Sequence, residues 1–241
     1  MKNKKQEKLK IVGLSFLGIV LVLSIAFFVY VSNYYHAEPY AIEMFNELDR
    51  VQIKENMTII SPSQPSETAM IFYPGAKVEE IAYIPLLKKL SEQGITCVLI
   101  KMPFHMAFFN EGAADHVYEE LPEIKNWYIC GHSLGGAMAS SYASKNMDKI
   151  DGLILLGAYI YGDVSPKDTL TIYGTFNSNL EENINYTENI VIIEGGNHAQ
   201  FGDYGKQKGD PDATISAKEQ QEITVEAIVK FINERVSVKF L

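Results

Sequence analysis

The stretch "WYICGHSLGGAMASSYA", residues 127–143, decides how the chain is read. A short apolar run ends in Gly131-His132-Ser133-Leu134-Gly135-Gly136, and small, helix-compatible residues come next. The run has the length of a buried strand, and the small residues after it have the composition of a helix packed closely on it. Between them lies G-x-S-x-G. A serine at its centre sits on a sharp turn that lifts its Oγ clear of the backbone, and glycines two residues away on either side tolerate the crowding. The helix start just after it favours negative charge developing beside the serine. The bland alternative is an ordinary tight strand-to-helix turn. The strand, the helix and the additional Gly136 favour a nucleophile at Ser133.

Outward from this stretch the chain alternates strands and helices. Strands are expected at "VQI", "MTIIS", "TAMIFY" (68–73), "ITCVLIKM" (95–102), "WYICG", "GLILLGAY", "TLTIYG" and "NIVIIEGG". Helices are expected over "IAYIPLLKKLSEQG", around 111–121, over "GGAMASSYASKN" and after Ser216, where Ser216 and Glu219 form a capping box. In that last helix Ile223, Ala227, Ile228, Phe231 and Ile232 make the apolar face. Unbroken apolar strands alternating with helices predict an α/β fold, a mostly parallel sheet covered on both faces. Such sheets bind ligands beyond the carboxyl ends of their strands.

A serine nucleophile needs a base. His198, in "IIEGGNHAQFG" just past the last strand, has the required order and position. Of the other four histidines, His36 lies beside the N-terminal apolar segment, His105 and His116 precede the serine, and His132 is locked into the turn itself. An oxyanion hole needs two backbone N–H groups. One comes from Leu134. The other comes from the loop Tyr73-Pro74-Gly75-Ala76-Lys77, where Pro74 has none to give, so Ala76 is expected, or Lys77 one residue on.

The segments "FYPGAKVEEIAYIPLLKKL", "GHSLGGAMASSYA" and "IEGGNHAQFGDYGKQKGDPDATIS" resemble the α/β-hydrolase superfamily, within it a bacterial branch of small serine hydrolases distantly related to dienelactone hydrolases and lipases. The resemblance covers about residues 50–235. It implies an α/β-hydrolase-type sheet of eight strands and hydrolysis of an ester-like bond, with no substrate named. It also exposes a departure. The superfamily places an acid after the strand before last, and where its pattern has Asp this chain has Asn177. An amide oxygen can accept the imidazole N–H but brings no full charge, and in a serine protease Asp→Asn in this role costs about 10⁴ in kcat. Three readings are open: another acid serves, from Asp163, Glu181 or Glu182; a Ser–His pair works with a weak orienter; or catalysis is lost and the fold is a binding or scaffold module. Acyl transfer shares the same acyl-enzyme as hydrolysis.

The N-terminus is a separate object. "MKNKKQEKLK" precedes 21 uncharged residues, 11–31, which as a helix span about 31 Å, the thickness of a bilayer core. Lysines before this segment put the N-terminus in the cytoplasm and the rest of the chain outside, with Tyr30, Tyr34 and Tyr35 at the outer interface. An uncleaved anchor is expected over a cleaved signal peptide, whose apolar region is shorter. The expected organisation is a basic segment 1–10, an anchor 11–31, a tether 32–50 and the hydrolase-like domain 51–241.

Of the 21 basic and 30 acidic residues, five and one fall in the first ten, so the remainder carries 16 basic against 29 acidic. That acidic body argues against nucleic-acid binding. No metal or cofactor motif is present, and the acidic loop from Phe201 to Ile215 lacks calcium-loop spacing; it is expected to wrap the histidine loop. The expected partners are a small-molecule or lipid-like ester and, through the anchor, the membrane. Cys97 and Cys130 fall on strands that another strand separates, so both thiols are expected to be free and buried. Phe104, Met106, Phe108 and Phe109 either line an apolar acyl pocket or shallow lid, or pack beneath a loop.

Overall fold

A computed structural model describes residues 2–238. The chain divides into two compact units, residues 1–34 and residues 35–241. The first contains α1 (Lys2–Ser32), whose span Gln6–Ser32 includes an 18-residue window of mean hydropathy 2.7 and is long and apolar enough to cross a membrane.

The second unit begins with α2 (Pro39–Asn46), followed by β1 (Val51–Ile53), β2 (Met57–Ile60), β3 (Thr68–Tyr73), α3 (Ile84–Glu92) and β4 (Thr96–Ile100). After these come α4 (Asp115–Tyr118), β5 (Asn126–His132), α5 (Leu134–Asn146), β6 (Gly152–Leu156), β7 (Thr169–Gly174), α6 (Ser178–Glu181), β8 (Ile190–Ile193) and α7 (Ala217–Val238). The strands form one sheet in the order β1-β2-β4-β3-β5-β6-β7-β8. β1 and β2 pair antiparallel with each other and β2 pairs antiparallel with β4; every pairing from β4 to β8 is parallel.

The alternation of side chains along a strand builds the two layers. Met70 and Phe72 of β3, Cys97 and Leu99 of β4, Tyr128 and Cys130 of β5, and Ile154 and Leu156 of β6 belong to one core, beneath α3 and α7. Their neighbours Ile71, Val98, Ile129 and Leu155 belong to the other, which includes Ala139, Tyr142 and Ala143 of α5. Strands buried on both faces read as continuous apolar runs, which is why the sequence pattern locates them. Cys97 and Cys130 are free and buried, with β3 between their strands.

Two expectations are refined. The helix expected around 111–121 is a 3₁₀ segment, Ala107–Ala114, kinked at Asn110 (φ −151°, ψ 60°), followed only by the single turn α4. The segment 32–50, expected as a tether that becomes a short helix, contains α2, and from Tyr35 on it belongs to the second compact unit. Tyr35 forms a parallel bridge beside Val78: its N–H donates to Lys77 O at 2.7 Å and its C=O accepts from Glu79 N at 2.9 Å. The Tyr35 hydroxyl also accepts from Lys208 N, and the ring packs on Tyr204, so this tyrosine is a component of the domain.

Candidate functional site

β5 runs directly into α5 through Ser133, which adopts φ 55°, ψ −122°, a conformation that L-residues rarely occupy. The surroundings over-determine it. Ser133 N–H donates to Leu156 O at 2.9 Å, and Ser133 C=O accepts from Ala137 N at 3.0 Å. The flanking glycines are required by close approach: a Cβ on Gly131 would stand 2.4 Å from Gly135 O, and one on Gly135 would stand 2.2 Å from Tyr73 O and 2.3 Å from Pro74 O. Helix, strand and the loop after β3 therefore meet at van der Waals limits around the serine.

In the loop after β3 the backbone donors can be accounted for one at a time. Pro74 has none, Gly75 N–H donates to Tyr83 Oη at 3.0 Å, and Lys77 N–H donates to His105 O at 2.7 Å. Ala76 N–H has no protein acceptor among the described residues. Lys77, the sequence's alternative donor, is thus already committed, and Ala76 remains. Leu134 opens α5, where the first-turn N–H groups have no intrahelical partner. Gly75, Ala76, His132 and Ser133 line one cleft together with Tyr35, Gln207 and Lys208.

His132 lies fully buried under this turn. Its Nε2 faces His198 O at 3.0 Å, and a carbonyl only accepts, so Nε2 carries a proton. Burial, and next the neighbouring His198, hold the ring well below the ordinary histidine range, so it is neutral and Nδ1 is an acceptor. The Tyr83 hydroxyl, 2.7 Å away, donates to it. A directed chain therefore runs from Gly75 N–H through Tyr83 and His132 to the His198 carbonyl.

His198 is held above the end of β6. A Cβ on Gly157, itself at φ +53°, would stand 2.9 Å from His198 Nδ1 and 3.3 Å from Asn177 Nδ2. The His198 ring packs, tilted by 41° and with centroids 4.7 Å apart, against that of His132, the neighbour of Ser133 in sequence. Burial lowers its pKa from the ordinary value, and the Asp210 carboxylate acts in the opposite direction. His198 and Asn177 line a second cleft, bounded like the first by Gln207 and Lys208.

The structure brings Asn177 to His198. The amide lies 3.0 Å from His198 Nδ1, through Nδ2. In that orientation the amide donates, Nδ1 accepts and the imidazole proton sits on Nε2. Turning the amide over presents Oδ1, which accepts Nδ1–H and frees the Nε2 lone pair. None of the other acids considered reaches the histidine. Asp163 is exposed in the loop after β6, Glu181 accepts from the Tyr173 hydroxyl at 3.2 Å, and Glu182 is exposed.

The loop 201–215 does wrap the histidine segment. Pro211 O accepts from Asn197 Nδ2, and Asp210 accepts from His198 N–H at 3.2 Å and Ala199 N–H at 2.7 Å. Met106 is buried, as packing beneath a loop requires, whereas Phe104, Phe108 and Phe109 cluster at the surface, each at least 40% exposed, with Phe109 edge-on to Phe104 and tilted against Phe108, and line neither of the two clefts. Tyr83 and Asp210 are site residues that the sequence does not single out. Nothing local marks Tyr83 among the apolar residues of its helix, whereas Asp210 is visible as one acid in an acidic loop.

The model of the alpha/beta hydrolase family matches residues 69–222, from β3 into α7. The chain belongs to the α/β hydrolase family. No curated protein sequence matches it. Among solved α/β structures it is similar to Est1E of Butyrivibrio proteoclasticus with ferulic acid bound, at 17% identity over 79% of this chain and 98% of that one, with a TM-score of 0.55. It is also similar to a monoacylglycerol lipase of Paleococcus ferrophilus (15% identity, 74% and 100% of the two chains, TM-score 0.54). A dienelactone hydrolase of Anabaena variabilis aligns at 15% identity over 73% and 91%, with a TM-score of 0.50. At these identities the likeness is one of fold.

Proposed function

We propose that this α/β hydrolase cleaves ester bonds by way of an acyl-enzyme on Ser133. The observation that carries the reading is the strained turn at Ser133, placed in one cleft with Ala76, whose N–H has no protein acceptor among the described residues, and at the head of α5. A turn at φ 55° costs free energy, and a fold that keeps it at a helix start uses the exposed hydroxyl. In this mechanism Ser133 Oγ attacks the ester carbonyl while His198 Nε2 takes its proton. The carbonyl oxygen becomes an oxyanion held by the N–H groups of Leu134 and Ala76. Collapse expels the alcohol, which receives the proton from His198. Water, deprotonated in turn by His198, then attacks the acyl group and frees Ser133. Asn177 acts through Oδ1, accepting Nδ1–H and orienting the ring.

The esterase- and lipase-type neighbours support an ester as substrate. The apolar span in α1 supports a single-pass membrane protein with a cytoplasmic N-terminus and the hydrolase domain outside. The test uses the full chain in detergent, a fluorophosphonate probe and p-nitrophenyl esters. Labelling and hydrolysis are expected in the wild type and absent in Ser133→Ala and His198→Ala. Folded wild-type protein that neither labels nor turns over ester overturns the proposal. It would favour the second reading, a binding module, which one observation supports: Asn177 Nδ2, and not an acid, faces the histidine.

A further inference from the structure

Asn177 leaves the catalytic histidine without the carboxylate that ordinarily stabilises its protonated form. A carboxylate is nevertheless present, on a different element. Asp210, half-buried in the loop that follows the histidine, turns both oxygens toward the histidine segment: Oδ1 accepts from His198 N–H at 3.2 Å, and Oδ2 from Ala199 N–H at 2.7 Å. Asp210 also lines the cleft that holds the Asn177–His198 pair. Among the described residues, the groups facing His198 from the other elements bring no opposing acid. His132 from β5 is neutral, Asn177 after β7 is uncharged, and Gly157 at the end of β6 has no side chain. Lys208, on the same loop as Asp210, is the other charged residue of the cleft and is exposed.

We infer that Asp210 is a positioning residue of His198, supplying through the histidine's own backbone the negative charge that the acid slot lacks. This rests on His198 being the base. The two charge-assisted bonds fix the segment from which the imidazole projects, and the unit charge beside it favours the imidazolium formed when Ser133 gives up its proton. The charge of the site has moved across the histidine, from the ring's outer edge to its backbone. The direction in which Asp210 acts on the histidine's titration agrees.

A bond to Ala199 N–H that served folding alone would show in stability and not in activity, whereas a charge that favours the imidazolium also moves the titration and the plateau rate. The experiment therefore reads titration, on the full chain in detergent. The neutral variants are Asp210→Asn and Asp210→Ser, the latter keeping an acceptor for Ala199 N–H; folding is verified by thermal melting. In either variant the acidic limb of kcat/KM for p-nitrophenyl butyrate is expected to move down by about half a pH unit or more, with roughly tenfold loss on the plateau. Asn177→Asp is expected to move the limb up, and Asn177→Asp/Asp210→Asn to bring it back near the wild-type position, because one negative charge has been transferred between sites. A limb unmoved in both folded neutral variants overturns the inference. NMR titration of the His198 imidazole in the same proteins separates this result from a failure of the proposed activity. If the wild type does not turn over ester, a His198 pKa lowered in the neutral variants still supports the assignment, and one left unchanged overturns it.

Discussion

The Tyr83 hydroxyl donates to His132 Nδ1 at 2.7 Å, and it does so because His132 must spend its single proton on the carbonyl of His198. That bond joins the loop carrying Ala76 to the segment carrying His198. Tyr83→Phe removes the donor to a buried imidazole and the acceptor of Gly75 N–H at once. The expected result is a loss of about 2 kcal/mol in denaturant unfolding, since buried groups left unpaired lose their full solvation. Ester hydrolysis should fall about tenfold in kcat with KM little changed, because the oxyanion donor shifts while the cleft stays open. An unaltered kcat would show that the hole is fixed by other means.

Gly135→Ala tests whether the elbow is as crowded as its contacts state. The new Cβ would meet two backbone carbonyls, of Tyr73 and Pro74, at 2.2 and 2.3 Å, and neither is a side chain that can swing aside. A loss of more than ~3 kcal/mol is expected, or no folded protein at all. A variant that melts within a degree or two of wild type contradicts this packing.

The buried, neutral His132 makes stability depend on pH. Its folded pKa lies well below that of the unfolded chain, so between the two values the unfolded state binds more protons and stability rises with pH. His105 and His198, both also lowered by burial, act in the same direction. Stability should thus be fully present above about pH 6.5 and decline below it, His132 contributing up to about 1.4 kcal/mol per pH unit. Urea midpoints at pH 7.5 and 5.5 check this; an equal or higher midpoint at pH 5.5 contradicts a neutral His132.

Cys97 and Cys130 are fully buried, and burial pushes both thiols above their ordinary value. A maleimide reagent at pH 7 should leave both unmodified in the native protein and modify both in urea. Rapid native labelling of either would mean that the centre of the sheet opens.

The strands and the sharp turn at Ser133 were legible because each depends on local rules: apolar run length and glycine at close approach. β7 matches the expected "TLTIYG" at both ends because its composition changes abruptly there. The choice between Ala76 and Lys77 was not legible, since it depends on His105 O, 28 residues further along the chain, accepting the Lys77 N–H. The helix expected around 111–121 was only partly legible: a 3₁₀ segment runs through Ala114, and a single α-helical turn, Asp115–Tyr118, follows it. The Tyr83–His132 bond spans 49 positions and arises from tertiary packing alone.

The bridge between Tyr35 and Val78 bears on where this chain can be cut. Composition suggests that a soluble hydrolase could begin near residue 51, after a dispensable linker. Such a fragment would lose the partners of Lys77 O, Glu79 N–H and Lys208 N–H, together with a bond from Ala37 N–H to Glu79. Lys77 adjoins Ala76, and Lys208 borders both clefts. The smallest unit that retains these contacts therefore starts at Tyr35, and any protease acting between residues 36 and 50 would disturb the rim of the candidate site as well as sever the chain.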